Sequence, residues 1–153
     1  MISKDIVRDI VRSFIAGRDI FIVDVKVNNA SRIVVEVDKP AGITIEECVN
    51  ISRSIESALN RETEDFELEV SSPGITEPFK VIEQYRKNCG RQVEILDRDG
   101  LKVSGLLQSV DNEGIILETK TKIREKGLKR PKTVIETLTI KFSDIKTARQ
   151  WII

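Results

Sequence analysis

The residues with the clearest chemistry in this sequence are cations, concentrated in residues 119–133. They are Lys120, Lys122, Arg124, Lys126, Lys129, Arg130 and Lys132, against one anion, Glu125. Because closely spaced like charges repel one another and Gly127 and Pro131 interrupt the segment, we expect a mobile loop. Such a loop could bind phosphate groups, although an ordinary solvated surface loop remains the alternative. The segment lacks aromatic residues, so binding through it would be electrostatic and poor in sequence preference.

The charge of the chain is zero overall but unevenly distributed. The sequence has 25 basic and 25 acidic residues, with 10 and 15 of them in residues 1–82 and 15 and 10 in residues 83–153. The cationic segment therefore accounts for the positive excess of the second half. A polyanionic partner should prefer that half.

The residue types needed for most catalytic and metal sites are missing. The chain has no histidine, which removes the usual general base and the commonest metal ligand. Its two cysteines, Cys48 and Cys89, are too few for a zinc site, and Cys48 falls on the apolar stripe of a predicted helix. The acidic residues fall mostly on the solvent-facing sides of predicted elements. We therefore expect a protein that is not an enzyme and uses no cofactor or metal.

The composition also bears on the compartment. A hydrophobic content of 40% and a charged content of 33% are typical of a globular protein. No run of 18 apolar residues indicates a membrane span, and the first residues are amphipathic and include acidic side chains, unlike a secretory signal. With two cysteines and no C-x-x-C motif, we expect reduced thiols and a cytoplasmic location.

Residues 1–76 are predicted to form an N-terminal α/β domain with the order αββαβ. Apolar residues at helical spacing predict a helix over residues 3–16, and alternation predicts strands over 20–28 and 32–38. Thr44 and Glu47 form a capping box that begins a helix of residues 45–61, whose apolar stripe is Ile45, Cys48, Ser52, Ile55 and Leu59. A strand beginning at Phe66 completes a two-layer arrangement with helices on one sheet face.

A proline-glycine motif ends this predicted domain. The last strand stops at Ser71, Ser72, Pro73 and Gly74, which predict an interdomain turn. A nucleotide-binding P-loop is rejected because the Gly-Lys-Ser/Thr that it requires is missing. Residues 77–90 are predicted to be a linker with a short helix.

Residues 91–153 are predicted to contain strands alone. Five short segments, at 91–96, 102–110, 115–118, 133–142 and 146–152, are separated by turn residues. Five strands in so short a stretch favour a small Sm-like or SH3-like β-barrel, so the whole chain is assigned to the α+β class. We expect Gly105 to allow a sharp bend in the second of these strands and Trp151 to belong to the core.

A series of short motifs resembles the RimP family of bacterial ribosome maturation factors. The series spans nearly the whole chain, and its Val-Ser-Ser-Pro-Gly portion is the most specific part. The motifs are Val37-Asp38-Lys39-Pro40, Gly42-Ile43-Thr44 with Cys48 and Ser52, Leu68 to Gly74, Tyr85, Gly90-Arg91 with Val93, and Phe142-Ser143-Asp144-Ile145 with Ala148-Arg149.

The resemblance implies an α/β N-terminal domain and an Sm-like C-terminal barrel. It further implies transient binding to the small ribosomal subunit during its assembly, with the C-terminal domain associated with a small-subunit protein near the decoding region. We therefore expect a monomeric assembly factor that binds the immature small subunit and contacts ribosomal RNA and this protein. An Sm-type RNA-binding regulator acting off the ribosome and a pure protein adaptor are the alternatives. In the family, the sequence Leu-Asp-Arg-Pro-Leu often follows the glycine. This chain instead has Ile75 to Phe79, which contains no arginine. An anion contact by the family's arginine is therefore not carried over.

Overall fold

The protein is described by a computed structural model, which covers residues 2–124, 126–127 and 129–151. Its fold is of the mixed α+β class, as the sequence predicts. Two compact units are present, Met1–Gly74 and Ile75–Ile153. No helix in the described parts of the chain is both long and apolar enough to cross a bilayer.

The first unit has the predicted order αββαβ. Its elements are α1 (Lys4–Ile15), β1 (Phe21–Val27), β2 (Arg32–Asp38), α2 (Ile45–Ala58) and β3 (Glu67–Ser71). The strand order in the sheet is β1-β2-β3, in which β1 is antiparallel and β3 parallel to the central β2. The crossover from β2 to the parallel β3 runs through α2, as parallel pairing requires.

Local capping fixes the beginning of both helices. The Ser3 hydroxyl accepts a hydrogen bond from the Ile6 N–H at 3.2 Å. The predicted capping box of α2 is confirmed: the Thr44 hydroxyl accepts from the Glu47 N–H at 3.1 Å, and the Glu47 carboxylate accepts from the Thr44 N–H at 3.0 Å. These bonds satisfy N–H groups that have no partner within the helix.

The core of the first unit lies between the sheet and its two helices. Alternate residues of β2, namely Ile33, Val35 and Val37, are fully buried against Ile51 and Ile55 of α2 and the apolar stripe of α1. Each such side chain stabilises the fold by roughly 1.5–3 kcal/mol when removed from water. The helices therefore determine which sheet face is buried, and the opposite face carries the charged residues of each strand.

The described residues of the second unit form one helix and five strands. They are α3 (Ile82–Lys87), β4 (Gln92–Asp97), β5 (Lys102–Val110), β6 (Gly114–Ile123), β7 (Lys132–Lys141) and β8 (Ile145–Gln150), with one 3₁₀ turn at Phe142–Asp144. The strand order is β7-β6-β5-β4-β8, and all neighbouring strands are antiparallel. The strand predicted over 146–152 ends at Gln150, and Ile152 lies outside the described residues.

The predicted closure into a barrel is wrong. The two ends of the strand order are β7 and β8, and no ladder joins them within the described residues, so the sheet is open. Trp151 is not a core residue either, because 40% of its surface is exposed. The core instead surrounds Tyr85, whose ring lies edge-on to Phe79 and Phe142 with centroid distances of 5.0 Å.

Gly105 allows close approach of two strands. A Cβ atom at this position would lie only 2.5 Å from the backbone oxygen of Glu118 on β6. The residue is buried and its pairing with Val93 on β4 is regular. A side chain here would therefore separate β5 from β6.

Candidate nucleic-acid interface

The cationic segment belongs to a long β-hairpin. Strands β6 and β7 pair without interruption from Gly114 opposite Lys141 to Ile123 opposite Lys132. The expectation of a mobile loop from 119 to 133 is therefore wrong over both of its ends, which are strand. Only residues 124–131 connect the strands, and Glu125, the one anion of the segment, lies outside the described residues.

The register of the hairpin places no two of these cations directly opposite each other. Lys120 lies opposite Ile135, Lys122 opposite Thr133, and Lys132 opposite Ile123. No cation of the paired strands thus lies directly opposite another, an arrangement that would destabilise the sheet. Each cation instead faces a β-branched residue, a type that favours extended structure.

The hairpin divides its cations between two faces. Lys120 and Lys122 are two residues apart on β6, so they share one face, with Cα atoms roughly 7 Å apart. Lys132 is opposite Ile123, so it lies on the other face, which is continuous with the core positions Leu117 and Leu138. The structure therefore brings two predicted site residues together and separates a third from them.

The remaining four cations lie in the connection between the strands. Arg124 directly follows β6, and Lys126, Lys129 and Arg130 surround the turn at Gly127, whose φ of 96° is in the region that glycine occupies without strain. All seven cations are exposed, and none of them forms an ion pair with a described residue. Among the described residues, no acidic side chain neutralises their positive charge through an ion pair.

The hairpin also presents features that sequence reasoning missed. Ile123 and Ile135 are 43% and 58% exposed, and Ile135 shares a face with the neighbouring Lys120. Apolar area is thus interleaved with the cations. The sequence signal for strand β6 here was the alternation of polar, charged and apolar residues in Thr119-Lys120-Thr121-Lys122-Ile123, because a period of two indicates a strand.

The Ser71, Ser72, Pro73 and Gly74 motif lies far along the chain from the hairpin and in the other unit. Ser71 is the last residue of β3 and pairs with Glu36 of β2, while Ser72 to Gly74 have no regular structure. A hydrogen-bonded turn is assigned to Ile75 and Thr76, directly after the motif.

Ser71 and Ser72 line an open groove of about 340 Å³ in the first unit. The groove lies beside the exposed stripe of α2, including Ile45 and Val49, and it contains Cys48. Partial burial raises the pKa of the Cys48 thiol, and the nearby carboxylates of Glu47 and Asp38 raise it further. The thiol is therefore kept protonated, unlike a nucleophilic cysteine.

Comparisons with known proteins identify the family. The family model of the RimP N-terminal domain matches residues 6–76. A ribosome maturation factor RimP from Porphyromonas gingivalis is 38% identical over 148 residues, which is 97% of both chains. The chain belongs to the RimP family. The resemblance seen in the short motifs is thereby confirmed, together with a role in ribosome maturation.

Other RimP relatives agree over nearly the same length. The protein of Flavobacterium psychrophilum is 32% identical over 149 residues, covering 97% of this chain and 96% of the relative. That of Christiangramia forsetii is 32% identical over 136 residues, covering 89% and 88%. Both are named ribosome maturation factor RimP, and the matches extend through both compact units.

Proposed function

We propose that this protein binds the immature small ribosomal subunit and assists its assembly, with the β6–β7 hairpin binding ribosomal RNA. The observation that carries the proposal is the set of seven exposed cations, none paired with a described residue, in a member of the RimP family. The relatives' name supports the maturation role, and the charge supports an RNA partner.

The hairpin is suited to phosphate contacts rather than base reading. Lysine and arginine neutralise phosphate groups and release counterions from RNA, a gain that does not depend on base sequence. Since the hairpin has no aromatic side chain for stacking, a ribosomal protein supplies part of the specificity. We propose a small-subunit protein near the decoding region as this second contact, which the family resemblance implies.

The other elements of the proposal follow from the family and the composition. We propose that the protein acts in the cytoplasm as a monomer, without enzymatic activity and without a cofactor. Residues 1–76 and 91–153 would act as two domains joined by residues 77–90, the second an open variant of the Sm-like arrangement.

Binding to purified ribosomal particles tests the proposal. Immature and mature small subunits are each mixed with the protein and sedimented through a gradient, and the protein is expected with the immature particles alone. Binding to purified single-stranded RNA but not to immature particles would instead indicate a regulator acting off the ribosome. Binding to a ribosomal protein with no RNA contribution would indicate an adaptor.

The salt dependence of binding tests the hairpin itself. If it neutralises about four phosphates on unpaired RNA, the logarithm of the association constant falls with the logarithm of salt concentration at a slope of roughly −3. Replacing all seven cations with glutamine should flatten that slope. The matched control replaces only the lysines of the set with arginine, which keeps the charge and should keep the slope. An unchanged slope in the glutamine variant would contradict the RNA-binding role of the hairpin.

A further inference from the structure

The outer edge of β3, in the first unit, is open to pairing with a further strand. Within the described part of this unit, β3 pairs only with β2, so its other edge adjoins no strand. The Glu67 N–H donates to the Ser31 carbonyl on the β2 side at 3.1 Å. Because successive residues of a strand direct their N–H and C=O groups to opposite edges, those of Leu68 and Val70 point outward. They form a regular row that another strand could pair with.

The other edge of the same sheet is less suited to pairing. Strand β1 is interrupted by a register shift between Ile22 and Asp24, and the Asp24 carboxylate accepts a hydrogen bond from the Val25 N–H at 2.9 Å. Bulges of this kind disrupt an edge and bend the strand. No such shift is found between β2 and β3, which pair in register from Arg32 to Glu36.

The surroundings of the β3 edge determine what could bind there. On the helix side the groove of about 340 Å³ is lined by Ile43, Ile45, Cys48, Val49, Ser52 and Val70. Four of these lie at positions i, i+3, i+4 and i+7 of α2, so they form one stripe, and Ile45 is 85% exposed. This side would accept small apolar side chains.

The opposite face of the same strand is acidic. Glu67 and Glu69 both lie on it, and they share one cation, Arg32, at 3.3 and 3.6 Å. One guanidinium between two carboxylates leaves a negative charge at the edge. A second copy of β3 would bring further carboxylates next to these, which disfavours pairing of the protein with itself.

We propose that β3 accepts an extended protein segment in which basic residues alternate with small aliphatic residues. The aliphatic residues would enter the groove beside α2, and the basic residues would lie against Glu67 and Glu69. Backbone hydrogen bonds to Leu68 and Val70 would align the segment. This surface lies in the acidic unit and does not depend on RNA binding by the hairpin.

Amide hydrogen exchange with a synthetic peptide tests the proposal directly. The probe is Lys-Val-Lys-Val-Lys-Val-Lys, capped at both ends, added to the full-length protein. The outward amides of Leu68 and Val70 should exchange quickly in the free protein and become protected on binding, whereas the inward amide of Glu67 should change little. A peptide with the same composition but with its lysines and valines in two blocks should not protect them.

Two variants separate the acidic face from the apolar groove. Glu67→Gln with Glu69→Gln should weaken peptide binding by about tenfold and reduce its salt dependence. The matched control, Asp9→Asn with Glu62→Gln, removes the same charge elsewhere in the unit and should bind normally. Val49→Gln should weaken binding without altering the salt dependence, because it replaces apolar surface with a polar amide and changes no charge.

Several results would overturn the proposal. They are equal binding of the block peptide, peptide binding without protection of Leu68 and Val70, or no peptide binding at all. Protection of the same amides by a single-stranded RNA, or by concentration of the protein alone, would assign the edge to another occupant. Loss of RNA binding in the hairpin variant leaves all these peptide measurements unaffected, so the two proposals fail separately.

Discussion

Lys122 and Lys132 lie on adjacent rungs of the β6–β7 hairpin but on opposite faces, because Lys122 pairs with Thr133 and Lys132 with Ile123. The cations of this segment are therefore not one continuous patch. Lys120 and Lys122 share a face, Lys132 lies on the other, and the connection carries the rest. Contacts to RNA should reflect this division.

The two faces are expected to contribute unequally to RNA binding. A double variant, Lys120→Gln with Lys122→Gln, removes two adjacent cations from one face and should make the salt slope shallower by about 1.4 on single-stranded RNA. Lys132→Gln should change it by about 0.7 at most. Fluorescence anisotropy over a salt series measures both slopes. Equal slope changes in the double and single variants would contradict this expectation, because two cations on one face would then contribute no more than one cation on the other.

Glu47 provides a pH-dependent contribution to the stability of the first unit. Its hydrogen bond with the Lys39 ammonium, at 3.0 Å, and the bond from the Thr44 N–H lower the pKa of the carboxyl below its ordinary value of 4.5. A carboxyl with a lowered folded pKa stabilises the fold fully above its unfolded pKa, and the contribution is lost as pH falls through the folded value. Glu47→Gln should therefore unfold more easily than the natural protein at neutral pH.

The difference in stability between Glu47→Gln and the natural protein should disappear in acid. Thermal unfolding followed by circular dichroism from pH 7 downward measures it, and Glu62→Gln, an exposed change beyond the end of α2, is the control. A gap between Glu47→Gln and the natural protein that stays constant well below pH 4.5 would contradict the assignment.

Elements of the first unit were predictable because their signals are local. The capping box of Thr44 and Glu47 depends on residues three apart, and the alternation in β1 and β2 needs no knowledge of partners. The stripe of α2 was only partly assigned. Ile45, expected on the core side, is exposed, and Ile51 is buried instead. Helical spacing identifies an apolar stripe but not how far the sheet beneath it extends.

In the second unit the missed features depend on partners distant in sequence. The cations of β6 suggested a loop despite the alternation of residues 119–123, because the sequence does not reveal that Lys120 and Lys122 lie opposite Ile135 and Thr133. The open sheet differs from the expected barrel because strand number alone does not determine whether the first and last strands meet. The groove beside β3 requires both α2 and the sheet edge to be placed, so no sequence signal indicated it.

Gly105 is expected to be intolerant of any side chain. Gly105→Ala would place a methyl group against the Glu118 carbonyl oxygen, and the strand shift needed to accommodate it should lower the free energy of unfolding by about 1–3 kcal/mol. Trp151, the one tryptophan of the chain, belongs to the same unit, so its fluorescence can follow denaturant unfolding. Ser104→Ala on the same strand is the control. Equal midpoints for the two variants would show that β5 and β6 can separate without cost.

Tyr85 is expected to stabilise the second unit through its ring rather than its hydroxyl. The ring is edge-on to both Phe79 and Phe142, and burial raises the pKa of the hydroxyl above its ordinary value. Tyr85→Ala removes both aromatic contacts and leaves a cavity, so it should cost about 3–5 kcal/mol. Tyr85→Phe keeps the ring and should cost less than about 1 kcal/mol. Denaturant unfolding compares them, and a similar loss in both would mean that the hydroxyl, not the aromatic packing, holds α3 against the sheet.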